Sequence, residues 1–184
     1  MFRLVVLFAL FLSAAAIPAA VPASSFVLIG DSTTANGTTE NSGGWGNGFC
    51  GSIVTNTPSA LETNTPCINT AKNGATTGTF VANGYWDLSI KAIKGELAKG
   101  RKTYATIQFG HNDQKIADAA SMGRNLTSMV QQIRSLGAEP ILVTSLTRRS
   151  FNSDGTINDS LGPWADVTKQ VAQASSLSRK CNFI

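Results

Sequence analysis

Charge is scarce in this chain. Asp, Glu, Lys and Arg make up 14% of its 184 residues, 15 basic against 11 acidic. The basic residues cluster in nothing longer than pairs, so a net charge of +4 gives no nucleic-acid footprint. No apolar run reaches the roughly 20 residues that a membrane span requires. Three cysteines cannot staple a chain of this length, which excludes a disulfide-built miniprotein. Internal repeats and linkers are also missing, so the length reads as one domain. Histidine is scarcest of all: His111 stands alone. What is present is a 42% hydrophobic share, enough to exclude intrinsic disorder. The polar remainder, mostly Ser, Thr and Asn, suits an extracellular protein.

The start of the chain reads as an export signal. Arg3 precedes nine unbroken apolar residues, Leu4 to Leu12, and small residues follow through Ala14, Ala15, Ala16, Ala19 and Ala20. Pro18 and Pro22 interrupt any helix too early for a span, so residues 1–20 are expected to be a signal peptide, cleaved somewhere within 16–23. Export makes the triplets at Asn36, Asn125 and Asn158 candidate glycan acceptors.

From residue 25 onward, strand and helix patterns alternate. Ser25–Ile29, Tyr104–Phe109 and Pro140–Thr144 are short apolar runs, and Cys67–Asn69 is a weaker one. Helical spacing relates Trp86, Ile90, Ile93 and Leu97, then Leu126, Val130, Ile133 and Leu136, then Trp164, Val167, Val171 and Ala174. Gly100 and Gly137 sit where helices should stop, and Pro163 where one could start. Such alternation predicts a parallel sheet covered on both faces. Thr33 to Gly51, rich in Gly, Thr and Asn, reads as a long loop beside the carboxyl ends of the strands, where ligands of such sheets sit.

Those strand ends carry the chemistry. The first ends in Gly30-Asp31-Ser32, the second is followed by Asn69 to Gly74, and the third ends in Gly110-His111-Asn112-Asp113. A hydroxyl, a glycine N–H and a carboxamide on one edge are the inventory of an acyl-transfer site: a nucleophile and donors for an oxyanion. Ser32 could equally serve as a helix cap, Gly74 as a turn glycine and Asn112 as a turn cap. Asp31 and Asp113 read as carboxylates that hold loops through backbone N–H groups.

These three blocks, in order over residues 26 to 184, resemble the SGNH/GDSL hydrolases. Gln108-Phe109-Gly110-His111-Asn112-Asp113, Gly44-Trp45-Gly46 and Thr147-Arg148-Arg149-Ser150-Phe151 resemble the rhamnogalacturonan acetylesterase-like branch in particular. The resemblance implies a three-layer, flavodoxin-like α/β fold around a central parallel sheet, occupying residues 25–184. It implies Ser32 as nucleophile, with the Ser32 N–H, the Gly74 N–H and the Asn112 amide as oxyanion hole. No cofactor or metal is implied. The expected substrate is an acetylated plant cell-wall polysaccharide or a small ester, met outside the cell by a monomer with no nucleic-acid or membrane partner.

The family's base and acid come from a late Asp-x-x-His block, and no such block occurs in the sequence. His111 adjoins Asn112, so its ring is expected to point away from the oxyanion. Asp154, Asp159 and Asp166 precede the expected fifth strand, whose opening Cys181–Ile184 resembles. The last strand, its helix and the Asp-x-x-His block are thus expected beyond residue 184. Cys50 and Cys67 are close enough to pair, which leaves Cys181 over. Trp45 and Trp164 could stack on sugars but read better as packing. Two other readings remain: an SGNH acylhydrolase for lipid or small esters, which the polar loops disfavour, and a non-catalytic chain.

Overall fold

The computed structural model describes residues 23–180. The expected signal peptide and Cys181 lie outside them. Four strands form one parallel sheet: β1 (Ser24–Gly30), β2 (Cys67–Asn69), β3 (Lys102–Gln108) and β4 (Glu139–Leu142), in the order β2-β1-β3-β4. The helices are α1 (Trp45–Cys50), α2 (Thr77–Ala82), α3 (Tyr85–Leu97), α4 (Asp113–Ile116), α5 (Ala119–Ser135) and α6 (Gly162–Lys180). This is the flavodoxin-like order as far as its fourth strand.

β1 and β3 are the inner strands, and their alternation sorts two faces. Val27 and Ile29 join Ala105, Ile107 and Phe109 in one fully buried cluster with Phe80, Trp86, Ile93, Leu126, Met129 and Ile133 from α2, α3 and α5. Burying each such Val, Leu or Ile contributes about 1.5–3 kcal/mol, which fixes the register of β1 on β3. α6 packs along α5, with Val171 in the same cluster. On the other face Phe26 stacks on Tyr104, with centroids 5.4 Å apart, and meets Phe49 of α1 edge-on at 5.2 Å.

The sequence patterns match α3, α5 and α6, and Gly100 and Gly137 lie just past two helix ends at φ 72° and 90°. α1, by contrast, sits inside the stretch expected to be loop. Gly44 and Trp45 donate their amides to Ala35 and Thr33, and Cys50 is bonded to Cys67 at the start of β2. A six-residue helix holding two glycines survives only through such docking. α2 and α4 were also absent from the sequence pattern. Thr76 and Thr79 cap α2 reciprocally, each hydroxyl meeting the other's backbone N–H.

Candidate active site

All three strand-end blocks fall on the carboxyl edge of the sheet. Ser32 follows β1 in a tight turn: Thr34 and Ala35 donate their N–H groups to the Asp31 carbonyl at 3.1 and 2.9 Å. Asp31, fully buried, accepts the Thr33 N–H and hydroxyl on Oδ1 at 2.9 and 2.8 Å. Gly30 is required here by close approach, since a Cβ would stand 2.6 Å from Thr34 Oγ1 and 2.7 Å from the Gln108 carbonyl. Ser32 itself is exposed and lines a cavity of about 230 Å³ with Asn36, Thr38, Ser42 and Asn73.

The second block is tied to the first. Lys72 donates its N–H to the Gly30 carbonyl at 2.9 Å, and the Asn69 amide reaches the Thr34 carbonyl at 2.8 Å. Gly74 turns the chain at φ 77°, a left-handed conformation that glycine adopts without a Cβ penalty. The third block arrives from the other side: Asn112 Nδ2 donates to the Ala75 carbonyl at 3.0 Å. Asn73, before Gly74, thus shares a cavity with Ser32, and Ala75, after it, holds Asn112. An amide nitrogen carries two hydrogens, so Asn112 keeps one for an oxyanion. Lys115 donates to Asn112 Oδ1 at 3.1 Å, fixing which way the carboxamide faces.

Asp113 does not face this cleft. It is 1% exposed and accepts the Thr77 N–H at 3.0 Å and the Thr77 hydroxyl at 2.6 Å, clamping α2 to α4. Burial pushes its carboxyl above the ordinary range, against the Thr77 bonds that lower it, and the Asp31 charge adds to the rise. Burial holds His111 below the ordinary imidazole range; Asp31 opposes that, and Arg148 and Lys115 add to it. The His111 carbonyl is gripped by Arg148 at 2.6 Å, which roots the segment after β4 on the third block. Trp45 and Trp164 are both half-buried.

The sequence gives no sign of what the side chains of Gln108 and Asn125 bond. Gln108 lies buried beneath the Ser32 turn and receives the Trp45 indole N–H. Asn125, a glycan candidate, lies in α5 and donates to Thr77 Oγ1 at 2.9 Å, so its amide is occupied by the fold. Asn36 accepts from Asn69 at 2.9 Å on the cavity wall, while Asn158 stands exposed on a loop. Among the described residues, no group of three or more His, Cys, Asp and Glu side chains could hold a metal.

A hydroxyl, a positive-φ glycine and a carboxamide following three strands at the carboxyl edge of a parallel α/β sheet are the groups that acyl-transfer chemistry uses. Comparison with known proteins narrows the class. The family model described as GDSL-like lipase/acylhydrolase matches residues 28–183, and the chain belongs to that family. It is 38% identical, over 108 residues, to the rhamnogalacturonan acetylesterase RhgT of Bacillus subtilis (strain 168), covering 57% of this chain and 44% of that protein. Among solved structures, the Bacillus subtilis protein YXIM superposes with a TM-score of 0.64 at 21% identity, over 85% of this chain and 42% of the other. A mutant acetyl-xylooligosaccharide esterase from Geobacillus superposes at 0.59 and 19% identity, over 85% and 74%. These structures share the fold. The chain spans less than half the length of the first two relatives.

Proposed function

We propose that this chain carries the nucleophile and oxyanion hole of a secreted serine esterase that removes O-acetyl groups from a plant cell-wall polysaccharide such as rhamnogalacturonan. What supports the reading is that Ser32 shares a cavity with Asn73 while Asn112 bonds Ala75, on either side of Gly74, each block following a different strand of one parallel sheet. Ser32 Oγ adds to the acetyl carbonyl carbon, and the Ser32 N–H, the Gly74 N–H and Asn112 Nδ2 bind the resulting oxyanion. The sugar hydroxyl leaves with a proton, and water then releases acetate from the acetyl-serine. The polar cavity wall of Asn36, Thr38, Ser42 and Asn73 supports a carbohydrate ester over a lipid. The relative's name, rhamnogalacturonan acetylesterase, supports the substrate class.

The Cys50–Cys67 bond and the apolar leader support export, and Asn158 is the glycan acceptor that the geometry favours. By resemblance, the base that takes the Ser32 proton is the histidine of an Asp-x-x-His block, which the 184 residues do not contain. Ser32 in this chain is therefore expected to acquire acetyl from an activated ester slowly, at the modest level that an oxyanion hole alone supports. Incubation with p-nitrophenyl acetate and peptide mass spectrometry should locate acetyl on Ser32, with faster transfer of acetyl than of octanoyl. Ser32→Ala should remove the label. Label elsewhere, ester cleavage unchanged by Ser32→Ala, or preference for the long acyl chain would overturn the reading.

A further inference from the structure

We propose that Gln108 is the positioning residue for the Ser32 turn, a role that rests on the reading of Ser32 as nucleophile. Gln108 closes β3, directly opposite Gly30 in the register, and its side chain is 1% exposed. Its Oε1 accepts the Thr34 hydroxyl at 2.9 Å and the Trp45 indole N–H at 2.6 Å, and shares the Thr33 hydroxyl, 2.9 Å away, with Asp31. Its Nε2 donates to the Thr144 carbonyl, just past β4, at 2.9 Å. One carboxamide thus joins the residues after Ser32, the first residue of α1, the end of β3 and the segment after β4.

The chemistry of the amide explains why glutamine fits. A carbonyl oxygen has two lone pairs, which the Thr34 hydroxyl and the Trp45 indole N–H fill, so no capacity is left for water or substrate. Gln108 therefore acts through its neighbours and does not touch the reacting atoms. An ionised glutamate would accept from Thr33, Thr34 and Trp45 but could not donate to Thr144, and it would add a second buried charge close to Asp31. An apolar side chain would leave the Thr34 hydroxyl, the Trp45 indole N–H and the Thr144 carbonyl without this partner, and the Thr33 hydroxyl with Asp31 alone.

Asp31 and Gln108 hold the turn from two sides. The Thr33 hydroxyl has a single proton and lies within reach of both Asp31 Oδ1 and Gln108 Oε1, so its position is set between two acceptors. α1 grips the same turn through its backbone, Trp45 N–H to the Thr33 carbonyl at 2.8 Å, while its indole bonds Gln108. Ser32 is covalently next to Thr33. A nucleophile moved by an ångström can lose about a hundredfold in rate, so a group that fixes Thr33, Thr34 and Trp45 together governs how Ser32 Oγ is aimed.

The full 184-residue chain is compared as wild type, Gln108→Met and Thr34→Val. In Gln108→Met the Trp45 indole N–H resonance should move upfield, as befits loss of a short hydrogen bond. That of Trp86, which donates to Gln132, should stay in place. Amide hydrogen exchange of Thr33, Thr34 and Ala35 should rise at least tenfold. Acetylation of Ser32 by p-nitrophenyl acetate should slow at least tenfold. Thr34→Val keeps the side-chain volume and removes one donor, so it should move the exchange and acetylation readouts the same way, severalfold, even if Gln108→Met does not fold. Acetylation and exchange within twofold of wild type in a folded variant would overturn the proposal. If wild-type Ser32 takes no acetyl, the nucleophile reading falls, and the indole and exchange data still judge Gln108 by themselves.

Discussion

Removing the Cys50–Cys67 bond by the double change Cys50→Ala and Cys67→Ala should lower stability by an amount the structure lets one work out. The bridge joins the last residue of α1 to the first of β2 across a separation of 17 residues, with Cα atoms 5.3 Å apart. Closing a loop of that length in the unfolded chain is worth about 3 kcal/mol by chain entropy. For a domain of this size each kcal/mol moves the melting temperature by about 2–4 °C, so the expected drop is about 6–12 °C. Packing keeps α1 in place without the bridge. Phe49 packs on Phe26, and Trp45 packs on Phe49 at 5.7 Å while bonding Gln108. Thermal unfolding of both proteins under non-reducing conditions measures the difference. A thiol reagent applied to the oxidised wild type should label at most one cysteine. A drop below about 2 °C would refute the entropy argument. A drop above about 20 °C, or loss of the Trp45 indole signal, would show that the bridge itself holds α1 on the turn.

Two further outcomes are expected. Asp113 has its folded-state carboxyl raised, chiefly by burial, so the proton is held more tightly in the folded protein than in the unfolded one. Its favourable contribution is complete below the ordinary carboxylate value and is lost as pH rises through the raised one. Asp113→Asn, which can still accept from Thr77, should therefore gain stability relative to wild type as pH climbs from about 4 toward neutrality. Urea unfolding at several pH values tests this, and a difference independent of pH would exclude it. Gly74→Ala should cost about 1–2 kcal/mol from backbone alone, because φ is 77° and an added Cβ would meet no atom within 4 Å. It should slow Ser32 acetylation as well, by shifting the Gly74 N–H; an unaltered melting curve and acetylation rate would remove Gly74 from the site.

Local patterns carried the strands and long helices because burial enforces them. Val27 and Ile29 had to face one way, and Leu126, Val130 and Ile133 another, whatever surrounded them. α1 was illegible for the opposite reason: Trp45-Gly-Asn-Gly-Phe-Cys has poor helix propensity and becomes helical by docking on residues already folded. α2 hid because its capping box uses Thr79 where Glu or Gln is the familiar signal. The residues of the candidate site were legible as punctuation, since glycine and polar residues interrupt apolar runs at Ser32, Gly74 and Asn112. Asp31 and Asp113 accept backbone N–H groups, as their positions suggested. Their supports were not legible. No spacing rule pairs Gln108 with Trp45, or Asp113 with Thr77, because those partners meet only once the sheet has ordered its strands.

The sheet gives the molecule a polarity that matters for handling it. With every strand running the same way, the turns entering β3 and β4 lie on the edge opposite Ser32. Gly100 and Gly137 mark those turns, both exposed and both with open space around the position of a Cβ. A dye, a resin tether or a fused partner attached beside either one leaves the Ser32 cavity facing free solution. The same attachment near Thr38 or Ser42 would stand in its mouth. An immobilised form of the protein is therefore best anchored at Gly100 or Gly137, which are exposed and take no part in the chemistry.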